Sequence, residues 1–180
     1  MTGPTLIMAD GRVLAALDAS LYTQSVADHA AWAASRLQSP LGFVHTIERA
    51  GSGERSDLSG NLGLGEQDAL LSELARLDEQ RGRVEQLRGR ALLDQASVRV
   101  APQLSQPATR QLRQGALVDT LLDLQADTRL IVIGKRGEHA DFAKGHLGSN
   151  LERVVRAVNR PVLVASRSFK PIERFLIAYD

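Results

Sequence analysis

Along this chain, short apolar runs alternate with longer stretches of helical periodicity. Residues 12–17 (RVLAAL) form the first run, which stops at Asp18-Ala19-Ser20. Val26, Ala27, Ala30, Ala33, Ala34 and Leu37 then recur at helical spacing, predicting a helix to about Leu37 with the Asp and Ser as turn and N-cap residues. Past Pro40, residues 41–47 (LGFVHTI) read as a second strand. Residues 49–65 turn to Gly, Ser and charge, a mobile loop too long for a simple connection, which either covers something or lacks order. From Glu66 to about Ala96, Leu70, Leu71, Leu74, Leu77, Val84, Leu87, Ala91 and Leu92 stand among dense charges. They predict an amphipathic helix of unusual length, weakened or bent near Gly82 and Gly89. One face can pack on a sheet, and any overhang is free for a partner.

Residues 98–101 read as a brief extended piece, and residues 109–113 (TRQLR) as a strand running into Gly115. Residues 117–125 are a short helix rich in Leu. Leu130-Ile131-Val132-Ile133 is a strand that ends at Gly134-Lys135-Arg136-Gly137. After a polar loop, Gly148-Ser149 opens a helix with the stripe Leu151, Val154, Val155 and Val158, and Ser149 with Glu152 has the spacing of a capping box. Pro161 stops that helix, and residues 162–164 form a last strand.

Strands of Val, Ile and Leu without polar alternation suit burial on both faces of a parallel sheet. Alternation with helices predicts an α/β fold: an open, mostly parallel five-stranded sheet, Rossmann-like or flavodoxin-like, with helices on both faces and one long inserted amphipathic helix. Residues 1–170 are expected to form one domain and residues 171–180 a linker and a further strand. Such sheets bind ligands beyond the carboxyl ends of their strands where the strand order reverses. Asp18, Thr46, Gly134 and Gly148 all fall at or just past strand ends, so four distant positions converge on one crevice.

Composition narrows the chemistry. The 180 residues carry 22 basic and 21 acidic side chains, which gives no global pull toward nucleic acid or anionic membrane, so an electrostatic site has to be local. Cysteine is absent, which excludes disulfides, thiolate zinc sites and thiol nucleophiles, and fits a reducing compartment. With no secretory-type N-terminus and no long apolar run, a cytoplasmic protein is expected. The four histidines show no paired metal-ligand spacing, and neither a nucleophile elbow nor a Walker-type Gly-Lys-Ser/Thr is present.

The loop after the fourth strand has a chemical use. Gly134 and Gly137 can take positive φ and allow close approach of a ligand or another backbone, and the helix beginning at Gly148-Ser149 offers unpaired N–H groups to an anion. Lys135, Arg136, Lys144 and His146 share this loop. Phosphate binding stands beside a plainer alternative, in which the glycines serve the turn, Ser149 caps and the cations are solvated. His45, alone in an apolar strand, reads as a satisfied core residue.

Gly134-x-x-Gly137, a spacer of ten residues, then Gly148-Ser149 followed by LERVVRAVNRPVLV resembles the nucleotide-binding signature and final helix and strand of the universal stress protein family. The family's usual spacer is one residue shorter. The resemblance implies a domain that binds ATP, or ADP or AMP, with Mg²⁺ accompanying the phosphates, and acts as a nucleotide-dependent stress-response module rather than a fast enzyme. Ala16, Asp18 and the Thr46 backbone would hold the adenine side, Gly134 and Gly137 would let the chain wrap ribose and phosphates, and Gly148, Ser149 and Asn150 would donate to phosphate oxygens. Lys135 and Arg136 would add charge. For Asp18 a turn or capping role is the local alternative. A homodimer, or a pseudo-dimer with a second repeat, is the expected assembly, and the rival reading is a dimeric interaction module of the same fold without nucleotide. Residues 174–180 (RFLIAYD) match residues 12–18 (RVLAALD) at Arg, Leu, Ala and Asp, as expected where a second tandem copy begins.

Overall fold

The computed structural model describes residues 7–48, 64–137 and 149–178. The order is β1 (Arg12–Ala16), α1 (Thr23–Leu37), β2 (Leu41–Ile47), α2 (Leu64–Val100), β3 (Thr109–Gln114), α3 (Leu117–Leu124), β4 (Thr128–Gly134), α4 (Ser149–Ala157) and β5 (Val162–Ala165). The five strands form one sheet in the order β3-β2-β1-β4-β5, and every pairing is parallel. The expected α/β architecture is therefore present, and α2 is itself the crossover from β2 to β3.

Side chains alternate across the central strands and build two cores. Val13, Ala15 and Phe43 meet Val26, Ala27 and Ala30 of α1 and Leu93, Ala96 and Val100 of α2 on one face. Leu14, Ala16, Val44, Ile131 and Ile133 meet Leu121 and Leu124 of α3 and Leu151 and Val154 of α4 on the other. Burial on both faces explains why β1 and β4 lack polar alternation.

Several local expectations change. Helix α2 spans 37 residues, so Leu64 and Gly65 already belong to it and residues 98–101 are not extended. It ends in a 3₁₀ turn, Ala101–Gln103. The rest of the predicted loop lies outside the described residues. Neither glycine ends α2: a Cβ at Gly89 would lie 2.6 Å from Leu112 Cδ1 and 2.8 Å from His45 Cδ2, so the residue lets the helix lie close on β2 and β3. Asp18 and Ser20 do make turn bonds, but the α1 N-cap is Tyr22, which makes no side-chain cap bond. Glu152 of α4 pairs with Arg156 at 2.8 Å. Residues 171–178 carry no strand, and Phe175, Leu176 and Ile177 are largely exposed.

Candidate functional site

The strand order reverses between β1 and β4, which places a crevice beyond their carboxyl ends. Register fixes what meets there. Ala16 pairs with Val44, and Ala15 with Val132, so Asp18 continues alongside Thr46 on one side and Lys135 on the other. The chain between β1 and α1 is tightly braced: Asp18 Oδ1 accepts from the Ser20 N–H at 3.2 Å, and the Thr23 hydroxyl donates to the Asp18 carbonyl. Ser20 Oγ accepts from the Tyr22 N–H at 3.2 Å. The carboxylate of Asp18 thus serves the turn with one oxygen while its other oxygen faces the loop after β4.

That loop closes in on both residues at the start of α1. A Cβ at Gly137 would stand 3.1 Å from Asp18 Oδ2, and one at Gly134 would stand 2.9 Å from the Tyr22 Cβ. Neither glycine has a positive φ, so both are glycines for space and not for backbone conformation. Lys135 is exposed, and its N–H donates to the Ala165 carbonyl at 3.1 Å, tying the loop to β5. Arg136 is half-buried, and its Nε, like Arg12 Nε and Trp32 Nε1, is buried with no hydrogen-bond partner among the described residues. A buried guanidinium nitrogen left unpaired is costly.

Helix α4 runs opposite to the strands it connects, so its first residues come to the same end of the sheet. Ser149 and Asn150 are exposed there. Gly148, Lys144 and His146 lie outside the described residues, as does the ten-residue spacer. Ala16 sits one step below the crevice, buried in the core facing α3 and α4. Thr46 is half-buried near the end of β2, paired with Arg113 of β3.

His45 is a satisfied residue, as expected. Its Nδ1 donates to the Leu17 carbonyl at 2.8 Å, and its ring lies under Gly89 of α2, on the face away from α3 and α4. Among the described residues no group of three His, Cys, Asp or Glu could hold a metal ion. A small hollow of about 150 Å³ between α1 and α2, lined by Thr23, Gln24, Leu92, Gln95, Ala96 and Arg99, is below the ~300 Å³ at which small-molecule sites begin. No described helix is long and apolar enough to cross a membrane.

Sequence reasoning missed Tyr22. No sequence signal points to it, because a strand-end glycine reads equally as a turn residue; only the structure shows the Tyr22 Cβ where a side chain at Gly134 would stand. The orphaned Arg136 Nε could not have been foreseen from composition, since a loop arginine is usually solvated.

The family model described as the universal stress protein family matches residues 11–166. A curated relative, universal stress protein Slr1230 of Synechocystis sp., is 34% identical over 170 residues, covering 93% of this chain and 59% of the relative. The chain thus spans about three-fifths of that relative's length. Among solved structures, a universal stress protein in complex with cAMP is 17% identical with a TM-score of 0.54, covering 88% of this chain and 100% of that one. The universal stress protein of Archaeoglobus fulgidus in complex with dAMP is 18% identical with a TM-score of 0.50, covering 88% of this chain and 99% of that one. At these identities the structural likeness speaks for the fold.

Proposed function

This chain belongs to the universal stress protein family, and from that premise we propose that it binds an adenine nucleotide, ATP or ADP or AMP, in the crevice between β1 and β4 and acts as a nucleotide-dependent stress-response module. The observation that carries the reading is the approach of Gly137 to Asp18 across the strand-order reversal; the neighbouring Arg136 has a buried Nε with no partner among the described residues. The two structural neighbours solved with cAMP and with dAMP support an adenine ligand class.

In this proposal Asp18 Oδ2 accepts from a ligand hydroxyl or amino group, Ala16 and the Thr46 backbone flank the base, and Gly134 and Gly137 leave room for the ribose. The open N–H groups at the start of α4, with Gly148, Ser149 and Asn150, hold phosphate oxygens, and Lys135 and Arg136 offset their charge. Mg²⁺, where a triphosphate is bound, would neutralise further phosphate charge. Binding is the proposed activity, with slow hydrolysis or autophosphorylation compatible with it; rapid phosphoryl transfer would require a positioned water and a transition-state cation.

Ligand released from purified chain and identified by mass, followed by calorimetric titration with ATP and Mg²⁺, tests the reading. Nucleotide retained by the wild type and lost in Gly137→Trp, whose side chain would collide with Asp18, is the expected result. A wild type that takes up no nucleotide at millimolar ATP favours the second reading, a dimeric interaction module. That reading draws on β5, an edge strand whose Val164 is 40% exposed.

A further inference from the structure

Every described side chain of α2 from Leu70 through Arg81 is exposed, so the first half of this 37-residue helix stands clear of the domain. At 1.5 Å per residue, residues 64–81 extend for about 27 Å. Exposure of the whole circumference would suit a polar helix, yet this segment is not polar. Leu70, Leu74, Leu77 and Val84 are exposed by 37, 43, 47 and 50%, with Leu71 at 62% and Leu87 at 65% beside them.

The first four of these residues, with Arg81 between Leu77 and Val84, advance in alternating steps of four and three, the spacing of a coiled-coil seam. This seam does not extend the face that packs on the sheet. Gly89, Leu93, Ala96 and Val100 make that face, and at 3.6 residues per turn it is rotated from the seam by roughly 110°. The domain therefore uses one stripe of α2, and the second stripe faces no described residue of its own chain.

Charge along the helix says what kind of partner fits. Asp68, Glu73, Asp78 and Glu79 make the first half acidic, Arg81, Arg83, Arg88 and Arg90 make the next stretch basic, and Arg76 and Glu85 are the exceptions. Of these, Arg81 and Arg88 stand in the seam itself and Glu73 and Asp78 beside it, so a parallel copy would set each seam arginine against its own counterpart. An antiparallel copy sets each half against its opposite, and such pairing closes on a two-fold axis.

We propose that the projecting half of α2 pairs antiparallel with α2 of a second copy of this chain, about a two-fold axis near Glu79. In that register Leu74 meets Val84 of the other copy. Arg81 and Arg88 enter the seam opposite Leu77 and Leu70, where their aliphatic stems cover the leucines and their guanidinium heads reach the acidic flank. The exposed apolar stripe and the reversal of charge along one helix are thereby explained together, independently of any nucleotide.

Sedimentation equilibrium of the 180-residue chain reads the association directly. A concentration-dependent dimer is expected, weakened about a hundredfold or more by Leu74→Glu with Leu77→Glu. Both side chains are exposed, so circular dichroism and the domain's unfolding midpoint should hold. The chain has no cysteine, which makes orientation easy to test. Mixed Leu74→Cys and Val84→Cys variants should form a disulfide between the two species on oxidation, and neither should cross-link alone. A wild type monomeric at every concentration, a dimer unmoved by the double glutamate variant, or cross-linking of each cysteine variant with itself would overturn the proposal.

Discussion

Gly82 and Gly89 occupy one helix and do opposite things. At Gly82 an added Cβ meets nothing within 4 Å, whereas at Gly89 it would press on Leu112 and on the His45 ring. The Leu112 methyl can swing away; the His45 ring is pinned by its bond to the Leu17 carbonyl. Gly82→Ala should therefore raise stability by about 0.5–1 kcal/mol, the usual gain for relieving a helical glycine. Gly89→Ala should lower it, because an overpacking cost of about 1–3 kcal/mol exceeds the propensity gain. Urea titrations of the two variants check both signs. The sequence alone marks both positions as weak points in a helix, and it is only the approach of β2 and β3 that separates them. Asp18 shows the same limit. Its spacing allows either a turn residue or a ligand contact, and the structure gives the turn bond to Oδ1 while leaving Oδ2 facing Gly137.

At the scale of elements, periodicity carried most of the fold. The strands β1, β2 and β4 are legible because burial on both faces forces unbroken apolar runs, and α1 because its alanines fall on one face. Residues 98–101 misled for a physical reason: Val98 and Val100 alternate with polar neighbours as in a half-buried strand, but only Val100 is buried, and helical hydrogen bonding continues through both. The length of α2 also produces a gradient of stability within one helix. Gly89 to Val100 packs on the sheet and is further tied by Arg99, whose two nitrogens each donate to Asp28 of α1 at 2.8 Å. Residues 70–81 have only exposed ion pairs such as Arg76 with Glu73, which contribute little. Hydrogen exchange followed by mass spectrometry should find amides of residues 70–81 exchanging fast in dilute chain while residues 89–100 stay protected. Protection of residues 70–81 should rise with chain concentration in step with dimer formation. Uniform protection along α2 in dilute solution would mean the projecting half is held by its own domain.

For the whole molecule, the sequence located the crevice without describing its walls. It placed Asp18, Thr46 and Gly134 at strand ends because each apolar run stops there, and the parallel register then carries them to one end of the sheet. It could not show that a Cβ at Gly137 would stand 3.1 Å from Asp18 Oδ2, or that the Arg136 Nε is buried with no partner among the described residues, since both depend on the path of the chain just past β4. Those two features give the proposed nucleotide site its energetic consequence. A ligand that binds the folded chain alone adds RT ln(1 + [L]/Kd) to stability, about 2.7 kcal/mol at a hundredfold excess over Kd. For a domain of this size that shifts the melting midpoint by roughly 5–10 °C. Thermal melts with ATP and Mg²⁺ should show the shift in the wild type and in Leu74→Glu with Leu77→Glu, because the crevice and the projecting helix are separate surfaces. Gly137→Trp should lose it, and Arg136→Ala should reduce it while leaving the ligand-free melt nearly unchanged or higher, since removing an unpaired buried nitrogen relieves a cost. A ligand shift of the same size in Gly137→Trp would place the nucleotide elsewhere on the molecule and sever the site from the strand-order reversal.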